Sequence, residues 1–236
     1  MKTFLFELCA SSLEAARTAE SGGANRIELC ADLSIGGVTP DFDLMKTTIE
    51  ALTIPVHVLI RPRGGDFDFS VDEFTRMQKQ IEEAKRAGAA GVALGVLCRD
   101  GRVDVKRSRE LIELARPMAV TYHRAFDETP ALEEALEALI EMGVDCLLTS
   151  GGQVDVQTGA EAIARLSRQA GDRIQIMAGG GLRLANLVEI LRRAEVTCLH
   201  GSLTRKRSGK TPTADPIVLE ADVREAVRLM NAEFKD

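Results

Sequence analysis

The stretch FELCASSLEAARTAESGGANRIELCA, residues 6–31, contains the tetrapeptide Glu-Leu-Cys-Ala twice. Each copy closes a short apolar run that is typical of a buried β-strand, and a helical stretch lies between the two. Side chains two residues apart in a strand point to the same face, so Glu7 lies on one face with Cys9. Glu28 and Cys30 share a face for the same reason. If the two strands are neighbours in one sheet, two thiols and two carboxylates meet near its edge.

The same alternation of strand and helix patterns continues along the whole chain. In residues 70–87, Phe74, Met77 and Ile81 recur at three- and four-residue steps, which predicts a helix with one buried face. Eight strands that each precede a helical stretch predict a single (β/α)8 TIM barrel of the α/β class, spanning residues 1–236. An open, doubly wound sheet is the alternative. The predicted strands cover residues 3–9, 26–30, 56–61, 91–96, 118–123, 146–150, 174–178 and 197–201.

Composition excludes several classes of partner. The 236 residues carry a net charge of −6 with basic and acidic residues interspersed, which argues against a nucleic acid or an anionic membrane as partner. No apolar run reaches membrane-spanning length, and no export signal is recognised at the N-terminus, so we expect a cytoplasmic protein. Five cysteines, an odd number, indicate reduced thiols. Residues 205–216 lack periodicity and are predicted to form a mobile loop before the last helix.

Polar and glycine residues crowd the predicted strand ends, where barrels of this type build their active face. Glycines after strands seven and eight would let backbone N–H groups approach a phosphate, and arginine guanidinium groups suit phosphate or carboxylate. Alternatively, the glycines only turn a corner and the arginines pair with nearby carboxylates. The predicted anion-binding residues are Arg61, Arg63, Arg124, Ser150, Gly179, Gly180, Gly181, Gly201 and Ser202.

The two thiols of the repeated tetrapeptide are candidate metal ligands. Thiolates are soft donors that favour Cu(I) or zinc, and the pair Cys9 and Cys30 could hold Cu(I) at low coordination number. A structural zinc site would require four nitrogen or sulfur ligands. The alternative is that both cysteines are simply buried and pack as small apolar side chains.

Ionisable residues at the strand ends also suggest an acid–base enzyme that acts on a small phosphorylated or carboxylated molecule. Carboxylates in a barrel mouth can have raised pKa values, and histidine titrates near neutrality. No lysine ends a predicted strand, which argues against a Schiff-base aldolase. His57 begins a strand and is expected to be a core histidine with satisfied hydrogen bonds. The candidate catalytic residues are Glu7, Glu28, His123 and Asp127.

Longer motifs connect the chain to a known family. They are ELC at 7–9, RIELC at 26–30, GGVTP at 36–40, IRPRGGDF at 60–67, VTYHRAFD at 120–127, LTSGG at 148–152, AGGG at 178–181 and LHGS at 199–202. In order and spacing they resemble the CutC family of copper homeostasis proteins, over about residues 4–204.

The resemblance implies a (β/α)8 barrel, a cytoplasmic location, a homo-oligomer such as a dimer or tetramer, and a role in copper handling. It also implies that Cys9 and Cys30 are the copper ligands. Gly201 stands where a small serine or cysteine is common in the family, so a copper site here would have two thiols and no third.

Overall fold

The computed structural model describes residues 4–205 and 217–233 of the chain. Within these residues, eight parallel strands close into a barrel in chain order, and the first strand pairs with the last. The predicted (β/α)8 barrel is therefore confirmed, and the open sheet is excluded. The strands are β1 (Leu5–Ala10), β2 (Arg26–Leu29), β3 (Val56–Leu59), β4 (Gly91–Leu94), β5 (Ala119–Tyr122), β6 (Cys146–Thr149), β7 (Gln175–Gly179) and β8 (Cys198–Gly201).

Helices follow the strands and cover the outside of the barrel. They are α1 (Leu13–Ser21), α2 (Phe42–Ala51), α3 (Val71–Ala87), α4 (Val105–Ala115), α5 (Leu132–Glu141), α6 (Ala160–Ala170), α7 (Leu187–Ala194) and α8 (Glu220–Glu233). Two short 3₁₀ helices, Leu33–Ile35 and Arg124–Glu128, lie in the loops after β2 and β5.

Strand ends differ from the predictions by one or two residues, and the differences concern the site. Cys30 and His123 come directly after the last laddered residues of their strands, and Arg61 comes two residues after the end of β3. They keep the inward direction of the strand but belong to the barrel mouth. Strand periodicity predicts the face on which such residues lie better than it predicts where the ladder stops.

Alternation along each strand separates an apolar outer layer from a polar interior. In β1, Phe6 and Leu8 are fully buried in the main hydrophobic core beneath the helices. Glu7 and Cys9 point the other way, into the barrel, where TIM barrels usually carry branched apolar side chains. The interior polar and sulfur-containing side chains include Glu7, Cys9, Arg26, Glu28, His57, Thr121, Cys146, Met177, Cys198 and His200.

The predicted mobile loop falls almost entirely outside the described residues, since 206–216 are not among them. Its first residue, Arg205, pairs by a β-bridge with Ile217 and forms an ion pair with Asp222 of α8. Among residues 4–205 and 217–233, none of the helices combines the length and the apolar character that crossing a membrane requires.

Candidate functional site

The two predicted metal ligands are in contact at the barrel mouth. Strand register places Cys9 beside Glu28, so Cys30 lies one inward-facing position further along, just past the end of β2. The Sγ atoms of Cys9 and Cys30 are 3.4 Å apart, and both thiols are free and buried. The interpretation that the repeated tetrapeptide forms one cluster is consistent with this geometry.

The two thiols differ in what covers them. Gly37 passes over Cys30 with a φ of +84°, and a Cβ at this position would lie 2.9 Å from Cδ2 of Leu59 and 3.5 Å from Cβ of Cys30. Cys30 is 0% exposed beneath this loop, whereas Cys9 is 6% exposed and lines the central cavity. The pair is therefore reached from the side of Cys9.

His200 joins the carboxylates of the two strands to the thiol pair. Its Nδ1 lies 2.7 Å from Oε1 of Glu7, and its Nε2 lies 3.7 Å from Oε2 of Glu28. One ligand atom from each of Cys9, Glu28 and His200 can be chosen so that all three lie within 4.8 Å of one another. Glu7 also accepts a hydrogen bond from Nε of Arg26, one layer deeper in the barrel.

The two carboxylates of this cluster have opposite pKa shifts. Burial opposes ionisation of Glu7, but Arg26 and the hydrogen bond with His200 outweigh burial and lower its pKa to about 2. Burial raises the pKa of Glu28, the attraction of His200 opposes that rise, and the charge of Glu7 adds to it. Burial alone would lower the pKa of His200, but Glu28 and Glu7 together raise it. The hydrogen bond with Cys30, followed by burial, raises the pKa of the Cys9 thiol.

His200 is the central site residue that the sequence-based selection missed. The LHGS motif at 199–202 is recognised in the sequence, but only its residues Gly201 and Ser202 are predicted to belong to the site. The available signal was barrel closure: in a closed eight-stranded barrel, β8 lies beside β1, and His200 is directly in register with Glu7.

A cavity of about 790 Å³ opens above the cluster and contains only part of the predicted anion site. Of the nine predicted residues, six line it: Arg61, Arg124, Gly180, Gly181, Gly201 and Ser202. Gly179 lies below it, where a Cβ would be 2.7 Å from Cδ1 of Leu148. Among the predicted catalytic residues, Glu28, His123 and Asp127 line the cavity and Glu7 lies beneath it.

Asp127 organises one wall of the cavity. Its carboxylate accepts hydrogen bonds from Nε of Arg124 at 2.9 Å, from the Ser150 backbone N–H at 3.0 Å, from the Gly152 N–H at 3.0 Å, and from the Thr149 hydroxyl. Arg124 also donates to the Ser150 hydroxyl at 2.9 Å. The lone pairs of Asp127 are thus used to hold two loops together.

Arg124 lies across the backbone of Gly180. The φ of Gly180 is +100°, and a Cβ there would be 3.0 Å from Cζ of Arg124. The glycine run after β7 therefore makes room for a side chain, in addition to turning the chain.

Arg61 and Arg63 have different surroundings although they are two residues apart. Arg61 is 8% exposed and lies with its guanidinium 4.8 Å from the ring centre of Phe67. Arg63 turns outward, where it forms ion pairs with Asp66 at 2.8 Å and with Glu73 of α3 at 2.7 Å. Arg63 therefore pairs with nearby carboxylates, which was the alternative to its predicted role in anion binding.

His57 of β3 and His123, which comes directly after β5, are both kept neutral by their surroundings. Burial and the nearby Arg61 lower the pKa of His123 to about 3. Burial and Arg26 lower the pKa of His57 to about 4. His57 is buried as expected, but its Nδ1 has no hydrogen-bond partner among the described residues, so the expectation that its hydrogen bonds are satisfied was wrong for that atom.

These features define a parallel (β/α)8 barrel whose mouth holds a buried cluster of thiol, imidazole and carboxylate groups below an open cavity. The chain belongs to the CutC family, whose family model matches residues 4–205. The family resemblance inferred from the sequence motifs is confirmed.

Individual relatives agree with this membership. The chain is 43% identical to a CutC family protein from Mesorhizobium japonicum over 196 residues, which are 83% of this chain and 76% of the relative. It is 46% identical to a CutC family protein from Enterobacter sp. over 198 residues, which are 84% of this chain and 79% of the relative. It is also similar to the crystal structure of a candidate copper homeostasis protein CutC from Streptococcus agalactiae, with a TM-score of 0.81, 28% identity, and coverage of 85% of this chain and 99% of that one.

Proposed function

We propose that this protein takes part in copper homeostasis by binding Cu(I) as cargo through Cys9 and Cys30. The observation that carries the proposal is the 3.4 Å contact between two free thiols at the edge of an open cavity. Soft thiolate pairs select Cu(I), and the Streptococcus relative is described in terms of copper.

The donor geometry fits one ion shared by both sulfurs. With metal–sulfur distances of about 2.3 Å, as for zinc thiolates, two sulfurs on one ion lie roughly 4 Å apart. The thiols at 3.4 Å would therefore separate only slightly to accept an ion between them. His200 adds a neighbouring donor, because Glu7 holds its Nδ1 and leaves Nε2 facing Glu28 and Cys9, a familiar carboxylate–histidine arrangement at metal sites.

An anaerobic titration with Cu(I) against a competing chelator tests the proposal. We expect the Cys9→Ser/Cys30→Ser variant to bind Cu(I) at least about a hundredfold more weakly than the wild type, since a hydroxyl is a poor ligand for a soft ion. Cys98→Ser is the matched control because Cys98 is free, half-buried and away from the cavity lining, and it should leave affinity unchanged. Wild-type affinity in the double variant would overturn the proposal.

An acid–base enzyme is a second candidate, favoured by the opposite pKa shifts of Glu7 and Glu28 on either side of His200. Such divergence is characteristic of acid–base pairs. Glu28 and His200 line the cavity and would carry this chemistry, whereas Asp127 is engaged by its loop contacts. A turnover assay of small anionic metabolites with the wild type and Glu28→Gln tests it. Turnover that is equal in both proteins would remove Glu28 from that role.

A further inference from the structure

Arg61 is a buried cation that forms no ion pair among the described residues. Its Nη1 donates to the carbonyls of Ile35 at 3.2 Å and Gly37 at 3.1 Å, and its Nη2 donates to the carbonyl of Gly65 at 2.7 Å. These neutral acceptors fix the guanidinium without cancelling its charge. Its Nε–H has no hydrogen-bond partner in the described part of the chain. A buried charge of this kind is costly unless something of opposite sign binds beside it.

His123 lines the same cavity and carries a second N–H donor without a partner among the described residues. Its Nδ1 accepts a hydrogen bond from the Ala125 backbone N–H at 3.2 Å, so the proton of the neutral ring is on Nε2. That Nε2 has no partner among residues 4–205 and 217–233, although His123 is only 5% exposed. Phe67 lies beside both side chains, with its ring centre 5.1 Å from that of His123 and 4.8 Å from the guanidinium of Arg61.

Two other arginines of the cavity wall are neutralised, whereas Arg183 is exposed and forms no ion pair among the described residues. Arg124 is paired with Asp127, and Arg205 with Asp222. The negative charge of exposed Glu128 favours the protonated form of Arg61, but the two side chains form no ion pair. Arg61 is therefore the buried arginine of this wall that has no ion pair among the described residues, and it lies beside a neutral N–H donor and an aromatic ring.

We propose that the cavity binds a small organic molecule whose oxyanion, a carboxylate or a phosphate, is held between Arg61 and His123 against Phe67. Two N–H donors and one uncompensated positive charge suit an oxyanion and would disfavour a cation. The apolar wall of Phe67, Leu59 and Leu148 suits the carbon part of the molecule. This position lies at the ends of β3 and β5, and not over the loops after β7 and β8 where phosphate is common in such barrels. The proposal is independent of copper binding.

Calorimetric titration of the full-length, metal-free protein in low-chloride buffer tests the site with two probes, malonate and inorganic phosphate. Binding of malonate alone would assign a carboxylate ligand, and binding of phosphate alone a phosphate ester. Binding of both supports the shared oxyanion chemistry. If neither probe binds the wild type at millimolar concentration, the proposal is overturned.

Variants locate the binding. His123→Phe keeps a ring against Phe67 but removes the N–H donor, and Arg61→Lys keeps the charge but removes the Nε–H. We expect each to weaken the bound probe at least about tenfold. Arg63→Lys is the matched control, since Arg63 is paired with Asp66 and Glu73 outside the cavity, and it should leave affinity unchanged. Circular dichroism confirms folding of each variant. Wild-type affinity in folded His123→Phe overturns the proposal even if Arg61→Lys does not fold.

Discussion

At the scale of single residues, the interior of this barrel depends on Glu7. The carboxylate is 1% exposed and accepts hydrogen bonds from Arg26 on one side and His200 on the other. One side chain thereby compensates a buried guanidinium and orients the imidazole that faces the thiol pair. A buried network of this kind stabilises the fold only while each member keeps its partner.

Glu7→Gln is expected to destabilise the protein by about 3–5 kcal/mol, because it leaves the charge of Arg26 buried without a counter-ion. The measurement is the free energy of unfolding from urea denaturation. Glu137→Gln is the control, since the Glu137–Arg173 ion pair is at the surface and its removal should have little effect. Equal effects of the two substitutions would show that Glu7 does not hold this network together.

Residue identity alone could predict the thiol pair but not the roles of the arginines. The proximity of Cys9 and Cys30 follows from the two-residue repeat of a β-strand and from the pairing of β1 with β2. Arg61 and Arg63 also share that period, yet the strand has ended before both of them, and only tertiary contacts decide that Arg61 turns inward and Arg63 outward. His200 required knowledge that the last strand returns to the first across almost the whole chain.

At the scale of elements, the start of α3 is fixed by two side chains close together in the sequence. Ser70 and Glu73 form a capping box, with the Ser70 hydroxyl accepting from the Glu73 N–H and the Glu73 carboxylate accepting from the Ser70 N–H. The Glu73 carboxylate also forms an ion pair with Arg63. Because of this contact, the cap fixes the loop that carries Arg61 and Phe67 into the cavity. The start of one helix thus contributes to the shape of the site.

Ser70→Ala is expected to lower the free energy of unfolding by about 1 kcal/mol through loss of this N-cap. Thr75→Ala in the same helix is the matched control: Thr75 is exposed and its hydroxyl bonds only to the Val71 carbonyl, so alanine should be neutral or slightly stabilising. Chemical denaturation of both variants provides the comparison. An unchanged stability for Ser70→Ala would contradict the importance of the cap.

At the scale of the whole molecule, two buried neutral histidines make stability depend on pH. His57 has a folded pKa of about 4 because of burial and Arg26, against 6.5 for the free side chain. Between these values the unfolded chain binds a proton that the folded barrel does not, so the contribution of His57 to stability is fully present above pH 6.5 and is lost as the pH falls toward 4. His123 acts in the same direction, because burial and Arg61 lower its pKa to about 3.

Stability measured from pH 7 to pH 4 should therefore decline, with a contribution of about 3 kcal/mol from His57 alone. His57→Gln removes that titration, so its stability should depend less steeply on pH over the same range, whatever its absolute stability at neutral pH. Thermal or urea unfolding at several pH values provides the profile. Parallel profiles for the two proteins would show that His57 does not contribute.

Closure of the sheet accounts for both the success and the limits of prediction at this scale. Alternating strand and helix patterns are local and sufficed for the barrel. The cluster of Cys9, Glu28 and His200 joins the first, second and last strands, and its composition depends on register that no local pattern encodes.

The loop of Gly37, which seals Cys30 and leaves Cys9 open, gives the proposed copper site a direction. An incoming ion, or the thiol of a donor that delivers it, meets the sulfur of Cys9 before that of Cys30. Copper would then bind and leave in a fixed order, in each case through the sulfur of Cys9. Cys9 would set how fast copper arrives, and the more deeply buried Cys30 would lengthen the time for which it stays bound.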